Sequence, residues 1–211
     1  QRLETIFNQT FQDFEVILLD DNSTDGSWEY LKDFENHPKV CKCIGNEINS
    51  GGPFKQWKKG IELSTGDLIW IAESDDWSEL NFLESCIPYF ESEQVGMVMA
   101  ASTYVDVNDQ ILGEAPTDCP PGFYYGPHFV RNHMYFQNQI LNASAVIFRK
   151  SYVNYSILER IGEYRLSGDH LFWSSLMRDC NCVILEDYLN FFRWHDQSVR
   201  NQELKKLTGL K

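Results

Sequence analysis

Two short apolar runs that end abruptly in carboxylates constrain this chain more than any other feature. EVILLDD (15–21) closes on Asp20 and Asp21 and enters the turn residues NSTDGS, while DLIWIAESDD (67–76) closes on Glu73, Asp75 and Asp76. Short continuous apolar runs bounded by turn formers read as strands buried on both faces, the kind that parallel sheets covered by helices require. Between the runs, GSWEYLKDF (26–34) sets Trp28, Leu31 and Phe34 at helical spacing, and VCKCI (40–44) is a further strand. SGGPFKQWKKGIELSTG (50–66) then has Pro53 near a helix start, Phe54, Trp57 and Ile61 on one face, and Gly66 as a stop. Strand, helix, strand, helix, strand predicts an α/β fold with a mainly parallel central sheet and helices on both faces. In such sheets ligands bind beyond the carboxyl ends of the strands, where both groups of acids lie. Taken singly, either group also fits ordinary turn formers and helix caps.

The second half is less regular. VGMVMAAS (95–102) reads as a strand, YVDVNDQILG (104–113) as a hairpin around Asn108 and Asp109, and PTDCPPGFYYGPHF (116–129) as an ordered surface loop or a lid. ASAVIFRKSYV (143–153) is a strand running into a turn. SGDHLFWSSLMRD (167–179) is a helix capped by Ser167 or Asp169, and CVILED and LNFFRWH are closing strands. The chain opens at Gln1 inside an apolar-periodic segment (Leu3, Ile6, Phe7), so a strand upstream of it is expected.

Composition narrows the function classes. The 211 residues are 43% hydrophobic, enough for one sizeable core. With 18 Lys plus Arg against 31 Asp plus Glu and no basic run, nucleic acid is not an expected partner. No window approaches the ~18 consecutive apolar residues of a membrane span, so a soluble chain without a transmembrane segment is expected. Six cysteines (Cys41, Cys43, Cys86, Cys119, Cys180, Cys182) are too sparse for a disulfide scaffold. The two Cys-x-Cys pairs read as buried apolar residues in a reducing cytoplasm.

The carboxylates at 73, 75 and 76 pose a charge problem. All are expected to be ionised at neutral pH, and like charges a few ångströms apart oppose folding. A hard cation with oxygen ligands would offset them, and would also let an anionic diphosphate approach an acidic rim.

The order of five segments resembles the inverting glycosyltransferases of family 2, with the GT-A fold: QTFQDFEVILLDDNSTDGS, NSGGPFKQWKKGIELSTGDLIWIAESDD, NASAVIFRKS, SGDHLFW and FFRWHDQS, covering about residues 10–195. The resemblance implies a single glycosyltransferase domain over 1–211, with a nucleotide-binding half (1–101) and an acceptor-binding half (102–211). The family's first strand, with its base-clamping turn, is not among these residues. The resemblance also implies a nucleotide-diphosphate sugar donor, a glycan or lipid-linked acceptor, and Mn²⁺ or Mg²⁺ as cofactor. It assigns Asp21, with Asp20 close by, to the nucleotide base, Asp75 to the ribose and Asp76 to the metal. Glu73 stands where the family usually has Asp. Asp169 is the implied catalytic base, with Gly168 in place of the family's usual Glu. His195 is implied as a metal or diphosphate ligand. Arg193 is a candidate for phosphate neutralisation, Lys55 for the nucleotide, and Trp77, Trp173 and Trp194 for sugar faces. The expected location is cytoplasmic, with peripheral docking at the inner membrane face. A receiver-like Mg²⁺-binding signalling module and a sugar nucleotidyltransferase are the alternatives.

Overall fold

The computed structural model describes residues 1–115, 119–164 and 166–194. Its first element, α1 (Arg2–Phe7), buries Leu3 and Ile6 against Leu18 of β1 (Val16–Asp20). After α2 (Ser27–Lys32), β2 (Val40–Gly45) pairs parallel with β1, and these two strands form a sheet of their own. Helix α3 (Pro53–Leu63) has Pro at its first position and buries Phe54, Trp57 and Ile61, the spacing expected of one helical face.

The main sheet is mixed, in the order β3 (Leu68–Trp70), β8 (Val146–Arg149), β5 (Val95–Val105), β9 (Asn181–Arg193), β4 (Trp77–Ser78). Parallel pairing holds between β5 and β9, whereas β8 runs antiparallel to both β3 and β5. Thus β3, β5 and β9 share one direction, with β8 inserted against it. The remaining strands, β6 (Ile111–Glu114) on β5, β7 (Gly122–Tyr124) on β9, and β4 on β9, are antiparallel. The α/β fold with a central sheet is therefore as expected, but the direction of β8 is not encoded in its apolar run, which reads the same from either end. The hairpin β5–β6 turns at Asp106–Gln110 with Asp109 at φ 65°, as its sequence indicated. Within 116–129, the described part is ordered as β7 and the short helix α5 (Gly126–Phe129) rather than as a lid.

Helices α4 (Phe82–Cys86), α6 (Tyr155–Ile161) and α7 (Gly168–Met177) complete the layers. One core cluster joins α3, α6 and α7 to β5 and β8, and a second lies under α4, so the sheet is covered on both faces. Trp173, a candidate sugar platform, is only 1% exposed and packs edge-on against Phe172 and Phe148. Of the Cys-x-Cys pairs, Cys180 and Cys182 are buried as expected, while Cys41 is exposed and Cys43 half-buried, because β2 lies on an edge of its small sheet. No helix among the described residues is long and apolar enough to cross a membrane.

Trp173→Ala is expected to cost ~3–5 kcal/mol, the range for emptying a buried aromatic site. Urea unfolding measures it; a loss below ~1 kcal/mol would show that the ring is not a core element.

Candidate active site

Strand β3 ends at Trp70, and the chain crosses 71–76 before entering β4. Asp76, 2% exposed, is fixed there by three donors from two other segments. Its Oδ2 accepts from Asn142 Nδ2 and from Ser144 Oγ, both at 2.7 Å. Its Oδ1 accepts from the Arg193 backbone N–H at 3.1 Å. Asn142 Oδ1 accepts from the Ser144 N–H at 2.6 Å, which caps the single turn leading into β8. The Ser144 hydroxyl also accepts from the Glu73 N–H at 3.0 Å, and its carbonyl from Trp70 Nε1 at 2.7 Å. Residues 142–145 therefore form a bracket around the end of β3.

The acids do not all carry full charge. Glu73 is pushed up to about 8 by loss of solvent and then by Asp76 and Asp75, so the expectation of three ionised carboxylates at neutral pH is corrected for this residue. Asp76 is also held above the usual carboxylate range, by burial first and by Asp75 next, against the pull of its three hydrogen bonds. Arg2, at the start of α1, is 8% exposed and faces the same group of charges. Burial lowers it to about 10, opposed by Asp76, Glu73 and Asp75. Its guanidinium lies 4.8 Å over the Trp70 ring and has no hydrogen-bond partner among the described residues. A protein cation that the acidic motif did not announce thus offsets part of the cluster.

At the end of β1, Asp21 organises the chain between β2 and α3. Its Oδ1 accepts from Asn46 Nδ2 (2.6 Å), the Ser50 N–H (2.9 Å) and Gln56 Nε2 (2.8 Å), and its Oδ2 from the Ser50 hydroxyl (2.7 Å). These bonds hold its carboxyl below the usual range despite the cost of burial. Oδ2 retains acceptor capacity for one more donor. Asp20 is instead 4% exposed and accepts from the Ser23 N–H at 2.9 Å, a turn-forming role. Lys55 donates to the Ser50 carbonyl at 2.8 Å, closing the same loop.

Asp169 lies in the first turn of α7. Ser167 stands at the N-cap position, but among the described residues its side chain makes no cap bond to the helix. Asp169 Oδ2 accepts from Asn138 Nδ2 at 2.7 Å, and Asp169 adds to the upward push on Glu73. At Gly168, where the resemblance implied a Glu, a Cβ would sit 2.7 Å from the Phe54 ring, so the start of α7 packs closely against Phe54. Arg193 uses its guanidinium within the protein, donating to the Asp75 and Asp106 carbonyls and to Asp109 Oδ1 (2.7 Å) and lying over Trp77. Trp77 is stacked on Phe191, and Trp194 stands half-exposed against Tyr104. His195 lies outside the described residues.

An open cleft of about 2260 Å³ connects these parts. It is lined by Gln56, the partner of Asp21; by Glu73 and Asp75; by Arg193, the partner of Asp76; and by Asp169 with Asn138. Asp21 and Asp76 do not themselves line the cleft; each is bonded to a residue that does, Asp21 to Gln56 and Asp76 to Arg193. Between the edges of β1 and β3 the same cleft is apolar, lined by Ile17, Leu19, Ile69 and Ile71, and among the described residues neither edge carries a second ladder there.

Among the described residues no three His, Cys, Asp or Glu side chains gather as a metal cage. The donor chemistry present, exposed Asp75 beside buried Asp76, fits a hard ion of the Mg²⁺ or Mn²⁺ type that takes one or two carboxylates and completes its shell with substrate phosphates and water.

The model of glycosyl transferase family 2 matches residues 1–157, the stretch that carries both groups of acids and the 142–145 bracket. The chain belongs to that family. It is 31% identical to the glycosyltransferase GlyG of Streptococcus pneumoniae over 107 residues, 51% of this chain and 35% of GlyG. It is 34% identical to the poly(ribitol-phosphate) beta-glucosyltransferase of Bacillus spizizenii over 77 residues, 36% of this chain and 12% of that protein. The chain thus spans about a third of GlyG and less of the second relative. Staphylococcus aureus TarS 1–349 in complex with UDP-GlcNAc shares the fold, with a TM-score of 0.69 at 17% identity over 98% of this chain and 60% of TarS.

The segment NASAV stands out in the sequence, but the hold of Asn142 and Ser144 on Asp76 was missed there, as were Arg2 and Asn138. Two polar residues just ahead of an apolar strand carried a signal for the first pair; the other two are visible only in three dimensions.

The raised value of Glu73 gives stability a definite pH dependence. Between about 4.5 and 8 the folded state keeps a proton that the unfolded chain has released, so stability falls as pH rises through that window. Glu73→Gln should flatten this slope and add on the order of 2 kcal/mol or more at pH 8, where a shift of one unit is worth about 1.4 kcal/mol. Urea unfolding at pH 5 and pH 8 measures it, and an unchanged slope would show that Glu73 ionises freely.

Proposed function

We propose that the chain is the catalytic domain of an inverting, metal-dependent glycosyltransferase that moves a sugar from a nucleoside-diphosphate sugar to an acceptor hydroxyl. The observation that supports this most directly is a cleft lined by Glu73, Asp75 and Asp169 and by Gln56 and Arg193, the hydrogen-bond partners of Asp21 and Asp76, in a chain of glycosyl transferase family 2. The family match favours this reading over the receiver-like module and the nucleotidyltransferase.

Each acid has a distinct part. Asp21 offers Oδ2 to a base-edge N–H, with its position set by the Asn46–Ser50–Gln56 bonds. Asp75 would face the ribose, and Asp76 would hold Mn²⁺ or Mg²⁺, which when bound supplies positive charge to the departing diphosphate. His195 remains a candidate for the same ion or the diphosphate. Asp169 takes the proton of the acceptor hydroxyl as its oxygen attacks the anomeric carbon. The bond from that carbon to the phosphate oxygen breaks on the opposite face, its electron pair leaves with the diphosphate, and the configuration inverts.

A UDP-sugar donor is in keeping with TarS, which binds UDP and UDP-GlcNAc. An acceptor in cell-surface polysaccharide or another glycoconjugate, glycan or lipid-linked, is in keeping with the poly(ribitol-phosphate) relative. A cytoplasmic location with docking at the inner membrane face belongs to the same proposal.

UDP is expected to raise the melting temperature by several degrees with Mn²⁺ present and little in chelator, since saturation near 100 times Kd stabilises by ~2.7 kcal/mol. Equal protection in both conditions would remove the metal from the donor site. In the full-length protein, Asp169→Asn should keep this protection and lose transfer by ~100-fold or more; retained transfer would end its candidacy as base.

A further inference from the structure

Asp169 is held by one side chain among the described residues. Asn138 Nδ2 donates to its Oδ2 at 2.7 Å, and Oδ1 receives no hydrogen bond among the described residues. The orientation of the Asn138 amide is not free. Its other end accepts from the Ile140 N–H at 3.1 Å, and because a backbone N–H can only donate, the atom facing it must be the oxygen. The NH₂ group is therefore left to face the carboxylate.

The segment that presents Asn138 is anchored at both ends. On one side Met134 is 1% exposed, and its carbonyl accepts from His170 Nε2 at 2.8 Å, tying the segment to the residue after Asp169. On the other, Ile140 is 1% exposed, and Gln139 Nε2 donates back to the His133 carbonyl at 3.1 Å. Between the anchors the chain bulges outward, with Phe136 93% exposed. An exposed bulge that returns an amide to one carboxylate oxygen, fixed at both feet, is more than a surface loop needs.

We infer that Asn138 is a positioning residue for the transfer step: it occupies Asp169 Oδ2 and turns Oδ1 toward the acceptor hydroxyl. This rests on the role proposed for Asp169. Misplacing a reacting group by about an ångström can cost ~100-fold in rate, so a single locked amide is a sufficient device.

The decisive variant is Asn138→Asp in the full-length protein. Aspartate retains an oxygen for the Ile140 N–H, so the turn survives, but it cannot donate to Asp169 when ionised. UDP release is followed with Mn²⁺ on UDP-GlcNAc, UDP-glucose and UDP-galactose, with water standing in for the acceptor, and the fastest donor is carried forward. The expected result is kcat lower by about 10- to 100-fold, donor KM within about twofold and an unchanged UDP-induced melting shift. A kcat within twofold of the unchanged protein, or a loss confined to KM, overturns the inference.

Asp169→Asn and the double variant separate the two readings. If Asn138 acts through Asp169, adding Asn138→Asp to Asp169→Asn removes little more; additive losses overturn the inference. Full turnover by Asp169→Asn, or no UDP release from any donor by the unchanged protein, defeats the role of Asp169 and this inference with it. Loss in Asp169→Asn alongside normal kcat in Asn138→Asp defeats only the role of Asn138.

Discussion

A buried carboxylate is costly unless donors surround it, and Asp76 satisfies that condition only because β8 runs the wrong way for a parallel sheet. β8 pairs antiparallel with β3, with Ile147 opposite Trp70, so the residues that precede β8 lie beyond the carboxyl end of β3. There Asn142 and Ser144 reach Asp76. A strand in the same slot with the opposite direction would have carried them to the far end of the sheet. The third donor, the Arg193 N–H, comes from the end of β9, whose direction follows that of β3 through β8 and β5. Sheet topology and site assembly are thus one constraint: the order β3-β8-β5-β9-β4 is what allows one aspartate to be held from two sides.

The charges around that aspartate are balanced by several small adjustments. A proton retained on Glu73, the guanidinium of Arg2 and the hydrogen bonds to Asp76 each remove part of the repulsion. Arg2 also packs on Trp70, which stacks on Phe82, so the cation is tied into the second core cluster and not only into the acid group. A cluster arranged in this way is tolerable without an added ion.

What the sequence revealed follows the range of the interactions involved. The runs at 16–20 and 68–70, the helix with Phe54, Trp57 and Ile61 on one face, and the Asn108–Asp109 hairpin were legible because each is written in a local period or turn. Strand direction was not, because a continuous apolar run such as VIF has no polarity. Among the acids, the sequence marked Asp21 and Asp76 as ends of strands but not their environments. Asp21 and Asp20 are neighbours in the chain and opposite in role: one collects four donors from the 46–56 segment, the other is buried and closes its own turn. Only the alternation of faces along β1 separates them. Trp173 failed as a sugar platform for a related reason, since a tryptophan at helical spacing with Leu176 is indistinguishable in sequence from one at a rim.

The division of work among the carboxylates follows from how many of their oxygens the protein itself consumes. Both oxygens of Asp76 are engaged, so it is rigid and suited to fixing the place of an ion rather than to moving a proton. Asp21 is almost equally restrained, with one oxygen bearing three bonds, and suits recognition. Asp169 differs from both in having one oxygen fixed by a side chain and the other without a hydrogen bond among the described residues. A general base needs that combination: enough restraint to aim and one acceptor left to receive. Gly168 lets α7 start close against Phe54, one residue before Asp169.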